Sequence, residues 1–348
     1  MPDWSALEEQ MKKREPVQKA FGSVKNKAIP VFEDCINYPI EEVTALVRLS
    51  REIEWSEYGE ETEKRIAEFR EKLESIKPID HPVSRSYLWK EGNMPVETEY
   101  TDNSSFRYNH NPDFKPYLFE LPVPEEVKPK GAVIFCAGGD HGDAVVPEGY
   151  QSAKDFQAMG YQCFILLNRT NHNPWTSREA GVDAARAVRM VRAAAAKYRI
   201  SPDNIAFAGF SNGGLTGEGL IEHFSGKQTV KEVFSEYVPD ELDSIDATPN
   251  AFLCIYGPRF EGASFDYEGA VYPPTFFAVG REDTAMDNLN DTYPDLLAHG
   301  VPVEVHTFAG VPHGQAGMRI LDGEVKYPSF ELWLPLADAF LQNVFSVK

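Results

Sequence analysis

The sequence predicts an α/β protein: a mostly parallel central sheet with helices on both faces, preceded by an N-terminal helical extension. Three observations carry this. From residue 131 onward, six short apolar runs alternate with amphipathic stretches, the order that parallel strands and their crossover helices require. The runs are nearly continuous in apolar side chains, as strands covered on both faces should be. The first ninety residues instead carry helical periodicity.

Two amphipathic helices are expected in the extension, taken as residues 1–82. Val43, Leu46, Val47 and Ile53 fall on one face of the first, and Ile66, Phe69, Leu73 and Ile76 on one face of the second. Glu and Arg crowd the opposite faces, and Pro78 and Pro82 close the segment. A lone hairpin cannot bury two apolar faces. The pair is therefore expected to dock on the rest of the chain or on a second copy, which would make a homo-oligomer. The C-terminal ends of the strands, where a pocket opens, are the expected place. Trp55 and Tyr58 then become candidate pocket or interface residues, with plain core filling as the alternative.

Residues 83–348 read as one α/β domain. Val96–Tyr100 and Tyr117–Leu121 carry strand formers between Asn, Asp and Pro breakers, and read as antiparallel strands leading in. The parallel strands are Ala132–Ala137, Cys163–Leu167, Ile205–Phe210, Phe252–Tyr256, Thr275–Val279 and Val303–Phe308. Helices are expected near 150–159, 178–198, 214–224, 286–299 and 328–346. The second is the clearest, with Ala180, Ala184, Val188, Val191 and Ala195 at steps of three and four. Residues 225–250, rich in Glu and Asp, read as an insertion between strands.

Composition bounds the function classes. The 348 residues are 42% hydrophobic and 25% charged, which excludes disorder and fibrous architectures. This length allows one domain of roughly 250 residues with an appendage. Against 34 Lys+Arg stand 54 Asp+Glu, a net charge of −20, which argues against nucleic-acid or anionic-membrane partners. No run approaches the roughly 18 apolar residues of a membrane span. The acidic Met1–Gln10 segment lacks the charge pattern of a secretory signal. Cys35, Cys136, Cys163 and Cys254 show no C-x-x-C spacing and read as small core hydrophobes, so a reducing, cytoplasmic compartment is expected.

Gly209-Phe210-Ser211-Asn212-Gly213-Gly214 follows a strand and opens a helix, the context of a G-x-S-x-G nucleophile elbow. A serine hydroxyl needs a base to remove its proton. Of the eight histidines, His313 in Val311-Pro312-His313-Gly314 lies just past the last strand, where the base belongs in the α/β-hydrolase order. His306 sits inside that strand and reads as structural; His141 precedes the serine. Asp283, directly after strand 275–279, is the candidate orienting acid, with Glu282 and Asp287 as competitors. Oxyanion donors are expected from the backbone of Asn212 and from the paired-glycine loop at Gly139. Asp140, His141 and Asp143 form no ligand spacing that calls for a metal.

The region from about Tyr87 to Phe345 resembles the α/β-hydrolase-fold carbohydrate esterases, particularly bacterial acetyl xylan esterase and feruloyl esterase-like proteins. The matching segments, in order, are Leu88-Trp89-Lys90-Glu91-Gly92, Phe135-Cys136-Ala137-Gly138-Gly139, Asp183-Ala184-Ala185-Arg186-Ala187, the elbow itself, Ala247-Thr248-Pro249-Asn250-Ala251, and the surroundings of Asp283 and His313. Asn212 stands where the family usually has Ala, and Asp140-His141 where Gly-Tyr is common. These departures, with Trp175, make Asp140, His141 and Trp175 candidate substrate-binding residues. The resemblance implies a serine carboxylester hydrolase, with no metal or organic cofactor, that removes acetyl or another small acyl group from carbohydrates such as xylo-oligosaccharides. An acyltransferase or serine peptidase would use the same triad; a binding protein on this fold would typically lack one of its members.

Overall fold

The computed structural model describes residues 4–54, 56–80, 82–95, 115–139, 145–169 and 177–346. The expected strand Val96–Tyr100, together with Trp55, Asp140, His141, Asp143 and Trp175, lies outside the described residues. The chain divides into two compact units, and among the described residues the boundary falls between Val83 and Ser84.

The first unit contains α1 (Trp4–Asn26), α2 (Ile29–Glu33), α3 (Ile40–Glu54) and α4 (Glu60–Ser75). The last two are the helices that the periodicity predicts, and Val43, Leu46, Ile53, Ile66 and Phe69 are buried. Glu60, Glu61 and Glu63 occupy the first turn of α4 and Lys72 its last, each complementing the helix dipole. The extension holds more than the two helices read in the sequence. Helix α1 packs on both α3 and α4, and the fully buried Phe21 sets its ring edge-on to Phe69 at 5.0 Å. The unit thus has a core of its own. Tyr58 is 48% exposed, so it fills no core.

In the second unit one sheet contains β1 (Arg85–Tyr87), β2 (Tyr117–Leu121), β3 (Ala132–Cys136), β4 (Gln162–Leu167), β5 (Ile205–Phe210), β6 (Ala251–Ile255), β7 (Thr275–Gly280) and β8 (Val303–Phe308). Their spatial order is β1-β2-β4-β3-β5-β6-β7-β8. β2 runs antiparallel to both β1 and β4, and the remaining pairs are parallel. Helices α5 (Val146–Ala158), α6 (Ser177–Ala193), α7 (Asn212–Phe224), α8 (Val230–Val233), α9 (Ala285–Ala298), α10 (Met318–Leu321) and α11 (Trp333–Ser346) connect and cover the strands. The six parallel strands read from the apolar runs are all present, within a residue at either end.

One expectation about them is corrected. β8 is an edge strand and is only half-buried, not covered on both faces. Its sequence Val-Glu-Val-His-Thr-Phe alternates, and it keeps Glu304 and His306 on one side, 2.8 Å apart. His306 packs its ring 5.1 Å from Phe276, a structural placement.

The acidic insertion has a physical anchor. Arg186, Arg189 and Arg192 line one side of α6 at steps of three. Arg186 bonds Asp240 (2.7 and 2.5 Å), Arg189 bonds Asp243 (3.1 Å), and Arg192 donates to the Thr248 carbonyl (2.7 Å). Two of the segments that carry the family resemblance meet here. Trp89 Nε1 donates to Asp183 (2.8 Å), Arg186 Nε donates to the Leu88 carbonyl (2.9 Å), and the Arg186 guanidinium lies 4.8 Å from the Trp89 ring. Asp183 is wholly buried and also binds the buried Arg169 through its guanidinium (2.9 and 3.0 Å). These groups fix the path of α6 beside the sheet; their role is architectural.

Candidate active site

Ser211 stands between the end of β5 and the first turn of α7, with φ 50° and ψ −119°. That conformation is rare for a residue with a side chain and costs of order 1–3 kcal/mol. The surroundings impose it. Ser211 donates its backbone N–H to the Ile255 carbonyl (2.9 Å), and Gly214 donates back to the Ser211 carbonyl (2.9 Å). The flanking glycines answer to close approach. A Cβ at Gly209 would lie 2.2 Å from the Gly213 carbonyl oxygen, and one at Gly213 would lie 2.1 Å from that of Cys136. The turn can therefore be this tight only with hydrogen at both positions.

His313 follows β8 with its side chain about half exposed, and Asp283 follows β7 with its carboxylate fully buried. Gly280 brings the two loops together: a Cβ there would lie 2.0 Å from the Val311 carbonyl oxygen. Arg281 and Glu282 donate their backbone N–H groups to Phe308 and Val311 (2.8 and 3.0 Å). The resulting line is continuous. Ser211 Oγ is 2.9 Å from His313 Nε2, and His313 Nδ1 is 2.9 and 2.8 Å from Asp283 Oδ1 and Oδ2. Asp283 Oδ1 also accepts the Ala285 N–H (2.8 Å). The imidazole tautomer that donates from Nδ1 to the Asp283 carboxylate leaves Nε2 to accept from the serine. The competitors Glu282 and Asp287 are exposed, and Asp283 is the carboxylate bonded to His313.

The glycine loop after β3 borders the serine. A Cβ at Gly138 would lie 2.8 Å from the Ser211 Cβ, and Gly139 follows at φ 145°. Asn212, expected as the second backbone donor, is buried at the start of α7. Cys136 lies under the elbow, but burial pushes its thiol up to about 12, so it is no rival nucleophile at neutral pH. Among the described residues no cluster of His, Cys, Asp and Glu could hold a metal ion.

Two residues beside this line were not singled out in the sequence. Tyr256, at the end of β6, is buried with φ 41°, and its ring meets His313 edge-on at 5.0 Å. Burial, then the nearby Glu148 carboxylate, hold its phenol well above the ordinary range. Glu148, in the first turn of α5, is buried and accepts from the Tyr256 hydroxyl and from the Gly138 N–H (2.7 Å). In sequence, Glu148 reads as an ordinary acidic residue at a helix N-terminus and Tyr256 as one more apolar strand residue. Neither carries a motif.

A second buried charge lies on α7. Glu218 accepts from the Tyr272 hydroxyl (2.5 Å) and stands 3.8 Å from Arg259, which binds Asp295 and Tyr267. Burial pushes its carboxyl up to about 7 although Arg259 opposes the shift. Residues 257–274, which carry Arg259 and Tyr272 between β6 and β7, are a second excursion from the sheet, not singled out in the sequence although Gly257-Pro258, Gly262, Gly269 and Pro273-Pro274 punctuate it.

No family model matches the chain. It is 26% identical over 187 residues, 53% of its length, to endo-1,4-beta-xylanase B of Butyrivibrio fibrisolvens, and spans 26% of that relative's length. An acetyl ester-xyloside bifunctional hydrolase from Caldicellulosiruptor lactoaceticus is similar in structure, with a TM-score of 0.56 and 22% identity over 75% of this chain and 96% of that one. So is MGS-M1, an α/β hydrolase from a Medee basin deep-sea metagenome library, at a TM-score of 0.54, 18% identity, and coverage of 76% and 98%. Thermogutta terrifontis esterase 2, phosphorylated by paraoxon, gives a TM-score of 0.55 at 18% identity, covering 77% and 96%. The sheet order and these likenesses agree. The chain has the α/β-hydrolase fold. Within an α/β-hydrolase the loops that carry Ser211, Asp283 and His313 leave the C-terminal ends of their strands, where open parallel sheets bind ligands.

Proposed function

We propose that this chain is a serine carboxylester hydrolase that removes acetyl or another small acyl group from acylated carbohydrates such as xylo-oligosaccharides. The observation that carries the reading is the unbroken Ser211–His313–Asp283 line, with both links at 2.8–2.9 Å and the serine on a strained elbow. Ser211 Oγ attacks the ester carbonyl as its proton passes to His313 Nε2. Asp283 holds the ring and stabilises the imidazolium without taking the proton. The carbonyl oxygen becomes an oxyanion, received by the backbone N–H groups of Gly139 and Asn212. His313 returns its proton to the departing sugar oxygen and leaves an acyl-serine. Water, deprotonated by the same imidazole, then releases the acid and restores Ser211. The chemistry calls for no metal or organic cofactor.

The carbohydrate part rests on two relatives, one named for xylan cleavage and one for acetyl ester and xyloside hydrolysis. Asp140, His141 and Trp175 remain the proposed sugar contacts. The test is a panel of acetyl, butyryl and feruloyl esters and acetylated xylo-oligosaccharides, with the intact chain and with Ser211→Ala. Release of acetate from the oligosaccharide, lost in Ser211→Ala by roughly 10⁴–10⁶-fold, is the expected result. Turnover confined to long-chain or feruloyl esters would overturn the substrate class, and a fully active Ser211→Ala would overturn the mechanism.

A further inference from the structure

We propose that Glu148 is a positioning residue, one carboxylate that holds the glycine loop after β3 and the base loop after β8 in a single register around Ser211. The inference rests on Ser211 and His313 acting as nucleophile and base.

Both oxygens of Glu148 are engaged. Oε2 accepts the backbone N–H of Gly138, at 2.7 Å, and so fixes the peptide immediately before the proposed oxyanion donor at Gly139. Oε1 accepts from the hydroxyl of Tyr256. The Tyr256 oxygen in turn accepts the Ala316 N–H at 3.3 Å, three residues past His313. The Tyr256 ring itself lies edge-on to the imidazole at 5.0 Å. The backbone repeats the connection: a Cβ at Gly317, which has φ +77°, would lie 2.6 Å from the Glu148 Cα. Three segments of the site thus meet at one buried side chain.

The same side of α5 also grips the base loop further from the site. Gln151 Oε1 accepts the Ile320 N–H at 3.1 Å, and Asp155 pairs with Arg319. The first of those contacts is part-buried and the second exposed, whereas Glu148 is buried between the glycine loop and the base loop. Its chemical type matters there. Two donors, an N–H and an O–H, converge on it, and a carboxylate accepts from both. A glutamine offers one acceptor oxygen, so with its oxygen kept on Gly138 it would turn an NH2 group toward Tyr256 and compete with the Ala316 N–H.

The experiment measures kcat and KM on a small acetyl ester, the rate of Ser211 phosphonylation by a fluorophosphonate, and the melting temperature. The variants are Glu148→Gln, Glu148→Ala, Tyr256→Phe, the double Glu148→Ala/Tyr256→Phe, and Arg319→Met. Misplacing the loops by about an ångström should cost Glu148→Ala roughly 10²-fold in kcat and in phosphonylation rate, with KM little changed. Tyr256→Phe should lose about tenfold, as indirect contacts to a reacting group do. The double variant should be no slower than Glu148→Ala, because the two residues act in one chain of bonds. Arg319→Met should melt earlier and keep its kcat. Should Glu148→Ala fail to fold, Glu148→Gln and Tyr256→Phe carry the same comparison. Unchanged kcat in the Glu148 and Tyr256 variants, additive losses in the double, or an equal kcat loss in Arg319→Met would overturn the positioning role. An intact chain that is never phosphonylated at Ser211 would instead refute the reading of the nucleophile, and the role of Glu148 with it.

Discussion

Asp283→Asn tests the geometry of the site with the smallest chemical change. Asp283 Oδ1 accepts two donors, the Ala285 N–H at 2.8 Å and His313 Nδ1 at 2.9 Å, and Oδ2 is 2.8 Å from the same ring nitrogen. An asparagine must keep its carbonyl oxygen toward the Ala285 N–H, since an NH2 group there would set donor against donor in a buried turn. Its NH2 then occupies the Oδ2 position and points at His313 Nδ1. The ring answers by accepting at Nδ1 and carrying its proton on Nε2, so it can no longer accept from Ser211 Oγ. Loss of the correct tautomer costs on the order of 10⁴ in kcat, about 5 kcal/mol of barrier. The assay is steady-state hydrolysis of a small acetyl ester at neutral pH, with a thermal melt to show that the fold is kept. Glu282→Gln and Asp287→Asn, both at exposed positions, should retain full activity. An Asp283→Asn enzyme within tenfold of the parent, or a crippled Asp287→Asn, would refute the assignment of the acid.

Other expectations follow from strain, burial and charge. Ser211→Gly should abolish turnover yet raise unfolding stability by about 1 kcal/mol, because glycine relieves the strain at φ 50° and loses only part of that gain to chain entropy; a less stable variant in urea titrations would count against strain at the elbow. Glu218 binds its proton more tightly when folded, with its carboxyl pushed from 4.5 to about 7. Its contribution to stability therefore falls as pH rises from about 4.5 to 7, by roughly 3 kcal/mol in total, and stays low above that window. Urea titrations across pH 5–8 should show this slope in the parent and a flatter one in Glu218→Gln; equal slopes would dismiss the buried charge. Phe69→Ala removes the ring that Phe21 and Phe32 pack against and should destabilise the helical unit by about 3–5 kcal/mol, measured by the helical signal on denaturation; a loss under about 1 kcal/mol would mean that these rings do not form its core.

The parallel strands were legible because a strand covered on both faces has few polar residues, and the runs at Ile205–Phe210 and Thr275–Gly280 are almost wholly apolar. The elbow was legible because its glycines answer to backbone atoms 2.1–2.2 Å from where a Cβ would sit, a demand that leaves a mark in sequence. β8 was misread as fully covered although its alternation is that of an edge strand. Helix α1 escaped notice because Pro16 interrupts a sparse apolar pattern, and its partners on α3 and α4 are distant in sequence. Glu148 and Tyr256 were invisible for a related reason. Their proposed role rests on contacts with Gly138, Ala316 and Gly317, which only the folded chain assembles.

The central claim is that Ser211 is the nucleophile of an ester hydrolase, and covalent capture tests it most directly. The intact chain is incubated with a fluorophosphonate at neutral pH, activity on an acetyl ester is followed in parallel, and the modified site is mapped by peptide mass spectrometry. The expected result is one adduct per chain, located on Ser211 in the Gly209–Gly214 turn, accumulating in step with the loss of activity and slowed by acetylated xylo-oligosaccharide. Full inactivation with the label elsewhere, or ester hydrolysis that continues undiminished in fully labelled protein, would contradict it.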